Sequence, residues 1–282
     1  MLTIKTALTE TVGLLDGVSE SPLLDAEVLL CKVLGKDRSH LRTWPDAKIS
    51  PKHILAYQAL VADRQQGKPI AYITGTREFW SRDFQVSPDV LIPRPDTELL
   101  IELSLALIPE NQVHKIIDLG TGSGIIAITL VAERSVSHVS ATDISAAALA
   151  CAKANANRHQ AECIQFYQSH WFEDVPTGKF DLIVSNPPYL AADDEHLQQG
   201  DLRFEPLTAL VSAQQGLSDI ETIAETARCR LENSGALLVE HGYNQKSAVQ
   251  KLFRNLGYHN VQTHNDLSGQ PRVTSGHYLP PT

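Results

Sequence analysis

The sequence predicts an α/β protein, with a smaller helical bundle preceding a doubly wound domain on a mostly parallel sheet. Three observations carry that prediction. Beyond Pro109 short apolar runs of strand type alternate with helical segments. A glycine-rich turn, Gly120 to Gly124, joins the first of those strands to the first of those helices. Residues 1–75 show helical spacing only.

In the N-terminal part, Leu23, Leu24, Ala26, Val28, Leu29, Leu30, Val33 and Leu34 form an apolar band at helical spacing. Ser21-Pro22 opens that helix as N-cap and first helical position, and Gly35 closes it. A second helix is predicted from Pro51 to Gln66, capped by Ser50 and stopped by Gly67. Residues 1–75 therefore read as a bundle and residues 76–96 as a hairpin linker. In the linker, Glu78 to Trp80 and Asp83 to Val86 are the expected strands, turning at Ser81-Arg82. Residues 97–282 form the α/β domain, entered by a helix that Asp96 or Thr97 caps and that runs to Leu107. Its strands are expected at Lys115 to Leu119, Val139 to Asp143, Cys163 to Tyr167, Phe180 to Ser185 and Ala236 to Glu240. Two more flank a turn at Ser268-Gly269. Helices fall at Ile125 to Ala132, Ala146 to Arg158, Ile220 to Leu231 and Lys246 to Asn255.

Composition narrows the function classes. Hydrophobic residues at 43% and charged residues at 20% give an ordinary globular balance, which excludes a disordered chain. The net charge is -9, and the excess is local. Nine Lys and Arg face eight Asp and Glu over residues 1–75, but twelve face twenty-one over residues 98–282. An acidic α/β half without a basic run argues against direct nucleic-acid binding. Cys31, Cys151, Cys163 and Cys229 match neither zinc-site nor disulfide spacing, and so read as thiols in a reducing compartment. Met1 to Gly13 lacks signal-peptide character, and the longest apolar stretches are too short to span a bilayer. The expectation is a cytoplasmic protein with no membrane partner and no metal.

Two motifs carry chemistry. In Asp118-Leu119-Gly120-Thr121-Gly122-Ser123-Gly124, glycine lets the backbone turn tightly and lets a ligand approach it. A dinucleotide fingerprint would need glycine where Ile125 stands, and there is no P-loop Lys-Ser/Thr pair. The G-x-G-x-G form is instead that of methyltransferases using S-adenosylmethionine. Asp143, ending the next strand, is placed to accept both ribose hydroxyls. The second motif, Asn186-Pro187-Pro188-Tyr189, follows the strand Phe180 to Ser185, where ligands of open α/β sheets bind. This tetrapeptide arises by chance on the order of once in a thousand chains of this length. An amide nitrogen is a poor nucleophile because its lone pair is delocalised, as the ~18–20 kcal/mol rotation barrier records. The Asn186 side-chain oxygen and the Pro187 carbonyl can each accept one hydrogen of such an NH2 group. That favours pyramidal nitrogen and aims its lone pair at a methyl donor. Tyr189 offers an aromatic face to a planar group.

Around these motifs the chain resembles the release factor glutamine methyltransferase (PrmC/HemK) family over nearly its whole length. The further signals are Arg77-Glu78-Phe79-Trp80, Pro93-Arg94-Pro95-Asp96-Thr97-Glu98, Arg203-Phe204-Glu205-Pro206, Glu240-His241-Gly242 and Asp266-Leu267-Ser268-Gly269 with Arg272. The resemblance implies a Rossmann-like class I S-adenosylmethionine-dependent methyltransferase domain behind a substrate-docking bundle. It also implies methylation of the Gly-Gly-Gln glutamine of class I peptide chain release factors, and a monomer is the expectation for the chain. The implied cofactor positions are Gly120, Thr121, Gly122, Ser123, Gly124, Asp143, Trp171 beside the adenine, and Asn186. Asn186, Pro187, Pro188 and Tyr189 hold the glutamine, with Asn186 and Pro187 catalytic. Pro93 to Glu98 would wall the methionine end, while Arg203 to Pro206 receives no chemical role. The same tetrapeptide also serves methyltransferases of adenine in DNA and guanine in RNA. That alternative calls for a basic channel, which the acidic half does not supply.

Overall fold

The computed structural model describes residues 2–279. The chain divides into two compact units, Met1–Thr76 with His196–Phe204, and Arg77–Glu195 with Glu205–Thr282.

The first unit contains helices Ile4–Leu15, Pro22–Leu34, Arg38–Thr43, Pro51–Gln65 and Ile70–Thr74. Leu15, Leu29, Leu30, Leu41, Tyr57 and Val61 close on one another as its core. Thr3, Asp37 and Ser50 cap three helices by accepting the N–H groups of Thr6, His40 and His53. Ser21 precedes Pro22 as expected but makes no side-chain cap bond. Pro22 at the first helical position contributes its preset φ without that bond. Asp25 is held by Arg64 at 2.8 Å, and Glu27 by Arg38 at 2.5 Å.

β1 (Thr76–Phe79) and β2 (Arg82–Gln85) form a hairpin turning at Trp80-Ser81, one residue earlier than expected. Both turn residues adopt positive φ. Glu98 and Glu78 accept their N–H groups and so hold this unfavourable conformation in place.

The main sheet has seven strands: β3 (Lys115–Leu119), β4 (His138–Asp143), β5 (Gln165–Gln168), β6 (Phe180–Ser185), β7 (Leu231–Glu240), β8 (Tyr258–Asn265) and β9 (Pro271–Tyr278). Their order is β5-β4-β3-β6-β7-β9-β8. β3 to β7 are parallel, whereas β9 runs antiparallel to both β7 and β8. β5 begins two residues later than expected. A turn bond from Ile164 N to Ala161 O keeps Cys163 and Ile164 out of the ladder.

Ile116, Val184 and Leu238 face a layer containing helices Glu98–Leu107 and Ile125–Glu133. Ile117, Ile183 and Leu237 face the layer of helices Ser218–Arg230 and Lys246–Asn255. From β3 the chain winds outward through β4 and β5, then returns to β6 on the other side. The strand order therefore reverses between β3 and β6, and a crevice opens at their carboxyl ends. Leu119 and Ser185 are register partners, and Ser185 Oγ donates to Leu119 O at 2.7 Å. The glycine turn and the Asn186 tetrapeptide thus leave the sheet side by side.

Candidate active site

The crevice holds a cavity of about 330 Å3. Gly120, Thr121, Gly122 and Ser123 form its floor, with Asp143, Ile144 and Ser145 along one rim. Asp89, Val90, Leu91, Pro93, Arg94 and Thr97 line it before β3. Ser169, His170, Trp171, Asn186, Pro188 and Val211 complete the wall.

The glycine turn is held by its neighbours. Gly120, Gly122 and Gly124 all have positive φ. A Cβ on Gly120 would stand 3.2 Å from the Trp171 ring, so glycine lets that aromatic close against the turn. Gly124 lies beneath the cavity and does not line it. A Cβ there would meet Ile128 at 2.9 Å and Ala152 at 3.2 Å, so its contribution is close helix packing. Asp143 accepts from Gly122 N and Ser145 N, both at 2.9 Å, leaving acceptor capacity on both oxygens. Burial raises its carboxyl above the ordinary value, while the Ser145, Gly122 and Ile144 N–H groups oppose that rise. Below, the fully buried Asp118 accepts from Thr121 Oγ1 at 2.6 Å, and burial lifts its pKa to about 7.

Asn186 reaches the cavity and donates Nδ2–H to Thr97 Oγ1 at 3.2 Å. With that end of the amide engaged, Oδ1 remains as the acceptor. Pro188 also lines the cavity, but Pro187 and Tyr189 do not. The Tyr189 hydroxyl donates to Glu240 Oε1 at 3.4 Å, and its carbonyl accepts from Gln245 Nε2 at 3.0 Å.

The chemistry of this lining fits S-adenosylmethionine. Apolar walls suit the adenine, a hydrogen-bonded carboxylate on the rim suits a ribose diol, and the positive-φ turn exposes backbone to the remainder. Trp171 Nε1 is buried without a hydrogen-bond partner among the described residues.

Comparison with known proteins agrees with this architecture. The Methyltransferase small domain family matches residues 96–201, and the PrmC N-terminal domain family matches residues 6–75. A release factor glutamine methyltransferase from Vibrio cholerae is 48% identical over 98% of this chain and 97% of its own. The chain belongs to the release factor glutamine methyltransferase family. The Escherichia coli release factor glutamine methyltransferase is 46% identical over 92% of this chain and 94% of its own. Among solved structures, a methyltransferase from Pyrococcus furiosus shares the fold. Its TM-score is 0.55 at 16% identity, covering 79% of this chain and 98% of that one.

Four residues of this family member gained no part in the acceptor site from its sequence. Thr97, weighed there as a helix cap, makes no cap bond; a 3-10 turn, Pro95–Thr97, enters helix Glu98–Leu107, and its hydroxyl serves Asn186. Glu205 is buried and accepts from Ile92 N at 3.1 Å and from Arg94, pinning the cavity wall between them. Glu240 ends β7, where four apolar residues preceding an acid at a parallel strand's carboxyl end are the available signal. Gln245 links Gly242 N, Tyr189 O and Gln215 O.

Proposed function

We propose that this chain methylates the side-chain nitrogen of the Gly-Gly-Gln glutamine in class I peptide chain release factors. The observation that carries this reading is the tied Asn186 amide, with its oxygen free to accept, beside the glycine turn. S-adenosylmethionine, when bound, supplies an electrophilic methyl group on sulfur. Asn186 Oδ1 and the Pro187 carbonyl accept the two N–H groups of the glutamine amide. The nitrogen lone pair is thereby turned toward the methyl group. Positioning of this kind contributes ~7–11 kcal/mol when geometry is near attack. Pro187 and Pro188 bring no backbone N–H to compete for those acceptors. Pro188 and Tyr189 complete the glutamine site, Tyr189 from behind the cavity wall. Methylation makes the amide nitrogen acidic, so its proton leaves afterwards without a strong base.

Asp143 accepts the ribose hydroxyls, Gly120 to Gly124 pass beneath the ribose and methionine, and Trp171 flanks the adenine. Residues 1–75 dock the release factor, 76–96 link, and 97–282 carry the chemistry. The protein acts as a cytoplasmic monomer without direct nucleic-acid contact; among the described residues no helix is long and apolar enough to cross a membrane.

The test is incubation with S-adenosylmethionine and, separately, a release factor, ribosomal RNA and DNA. A mass increase of one methyl group on the Gly-Gly-Gln peptide is expected. Label transfer to nucleic acid without that shift would overturn the reading. A second prediction concerns the rim. Asp143→Ala should weaken S-adenosylmethionine binding ~10–100-fold by calorimetry, as loss of a charged hydrogen bond does. An unchanged affinity would remove Asp143 from the cofactor site.

A further inference from the structure

Beneath the acceptor site lies a line of polar groups to which the methyl transfer assigns no role. Thr97 is buried, and its oxygen already accepts the Asn186 amide proton. Its own hydroxyl proton must therefore be given elsewhere. The carboxylate of Glu240 stands beside it, 1% exposed, and the Thr97 hydroxyl favours its ionised form. Glu240 Oε1 accepts from the Tyr189 hydroxyl, while Oε2 has no hydrogen-bond partner among the described residues. Burying a carboxyl costs stability unless it is hydrogen-bonded or paired.

The donor and acceptor inventory gives this line a direction. An ionised carboxylate only accepts. Thr97 then donates downward and accepts from above, so Asn186 turns its NH2 inward and its oxygen toward the cavity. A protonated Glu240 can donate to Thr97 instead. Thr97 is then free to donate upward, and the Asn186 amide can reverse. Its NH2 would then confront the NH2 of the substrate, donor against donor.

We infer that Thr97 and Glu240 are positioning residues that set which end of the Asn186 amide meets the acceptor nitrogen. The site is competent only while Glu240 is a carboxylate. This rests on the methyl-transfer reading above.

The groups facing Glu240 come from several elements. Arg272 of β9 favours the carboxylate, Asp96 opposes it, and Tyr189 hydrogen-bonds to it. Arg272 is shared with Asp96 at 3.1 Å and Asp266 at 3.3 Å, which divides its charge among three acids. Arg94 is engaged by Glu205. The adjacent His241 donates Nδ1–H to the Gly242 carbonyl and accepts at Nε2 from the Thr274 hydroxyl, and burial lowers its pKa, which favours that neutral ring. Burial is the largest influence on Glu240 and pushes its pKa up to about 7. A raised acid of this kind is ionised above that value, so competence is lost as pH falls through it.

The experiment follows kcat on a release factor across about pH 5.5–9, at saturating S-adenosylmethionine. The wild type, T97S, T97V and E240Q are compared, each with its cofactor affinity. Wild-type kcat should rise through about pH 7. T97V and E240Q should lower kcat ~10²-fold, as misplacement of a reacting group does, and leave cofactor affinity near wild type. E240Q should also lose the acid limb, while T97S, which keeps the hydroxyl, should restore both rate and limb. Wild-type rate and limb in E240Q, or wild-type kcat in T97V, would overturn the inference. The side-chain 15N amide resonance of Asn186 provides a readout that needs neither turnover nor a variant. It should titrate with a midpoint near that of the acid limb, and a flat response would sink the proposal even if methyl transfer stands. Absence of wild-type methylation with a titrating Asn186 would instead count against the substrate reading.

Discussion

Asn186→Ala lowers methyl transfer ~10²–10³-fold, the range seen when one oriented hydrogen-bonding group is removed from a transition-state site. The truncation deletes the acceptor proposed to face the substrate nitrogen and leaves the Thr97 hydroxyl without its donor. The local backbone should survive the change. Ser185 keeps its bond to Leu119 O, and the β3–β6 register ends one residue before the substitution. Cofactor affinity should therefore move by less than about tenfold, because the glycine turn and Asp143 are untouched. Initial rates on a release factor, paired with calorimetric titration of S-adenosylmethionine, separate the two effects. Near-normal turnover with unchanged cofactor binding would remove Asn186 from the chemistry. An equal loss of rate and cofactor binding would make it a cofactor residue only.

The parts of this site legible in the sequence are those whose physics is local. A glycine turn between strand and helix, an acid ending the next strand, and a rare Asn-Pro-Pro-Tyr tetrapeptide each declare themselves within a few residues. The doubly wound sheet is legible for the same reason, since the central strands β3, β6 and β7 carry their own apolar runs and helices follow them at helical spacing. Pairing is another matter. Nothing local in Tyr258–Asn265 or Pro271–Tyr278 says that they close the sheet antiparallel beside β7. Thr97 shows the limit at the level of one side chain. At a helix start a threonine reads as a cap, yet its hydroxyl partner lies 89 residues away. Glu240 is hidden in the same manner. An acid ending an apolar strand looks like a solvated terminus until Thr97, Tyr189 and Arg272 converge on it. Glu205 is legible as part of a motif, but its partners Ile92 and Arg94 come from more than a hundred residues earlier. Long-range burial, rather than residue type, makes these three groups functional candidates.

Gly216→Ala is expected to disable the acceptor side while sparing the cofactor side. Gly216 has φ of +81°, where a Cβ costs roughly 1–2 kcal/mol from backbone strain alone. The space is also taken: that Cβ would fall 2.0 Å from the Tyr189 carbonyl oxygen and 2.7 Å from Gln245 Nε2. A flexible side-chain tip could yield, but a carbonyl oxygen moves only with its peptide. That peptide is fixed from both directions. Gln245 holds the Tyr189 oxygen, and Leu190 is bridged to Leu210 and Ser212 by backbone hydrogen bonds. Relief therefore requires displacing Tyr189 and, through Pro188, the tetrapeptide that presents Asn186. A displacement approaching 1 Å at a reacting group costs ~10²-fold in rate. The three atoms nearest that Cβ belong to Tyr189 and Gln245 and not to the glycine turn, Asp143 or Trp171, so cofactor affinity should stay close to wild type. Gly178→Ala is the matched control, because its nearest neighbour is 4.0 Å away and its φ needs no left-handed conformation. It should remain within about 0.5 kcal/mol of wild-type stability and keep full activity. Wild-type kcat and melting temperature in Gly216→Ala would mean that the Tyr189 carbonyl yields freely. Gln245 would then not be the clamp that its three hydrogen bonds imply.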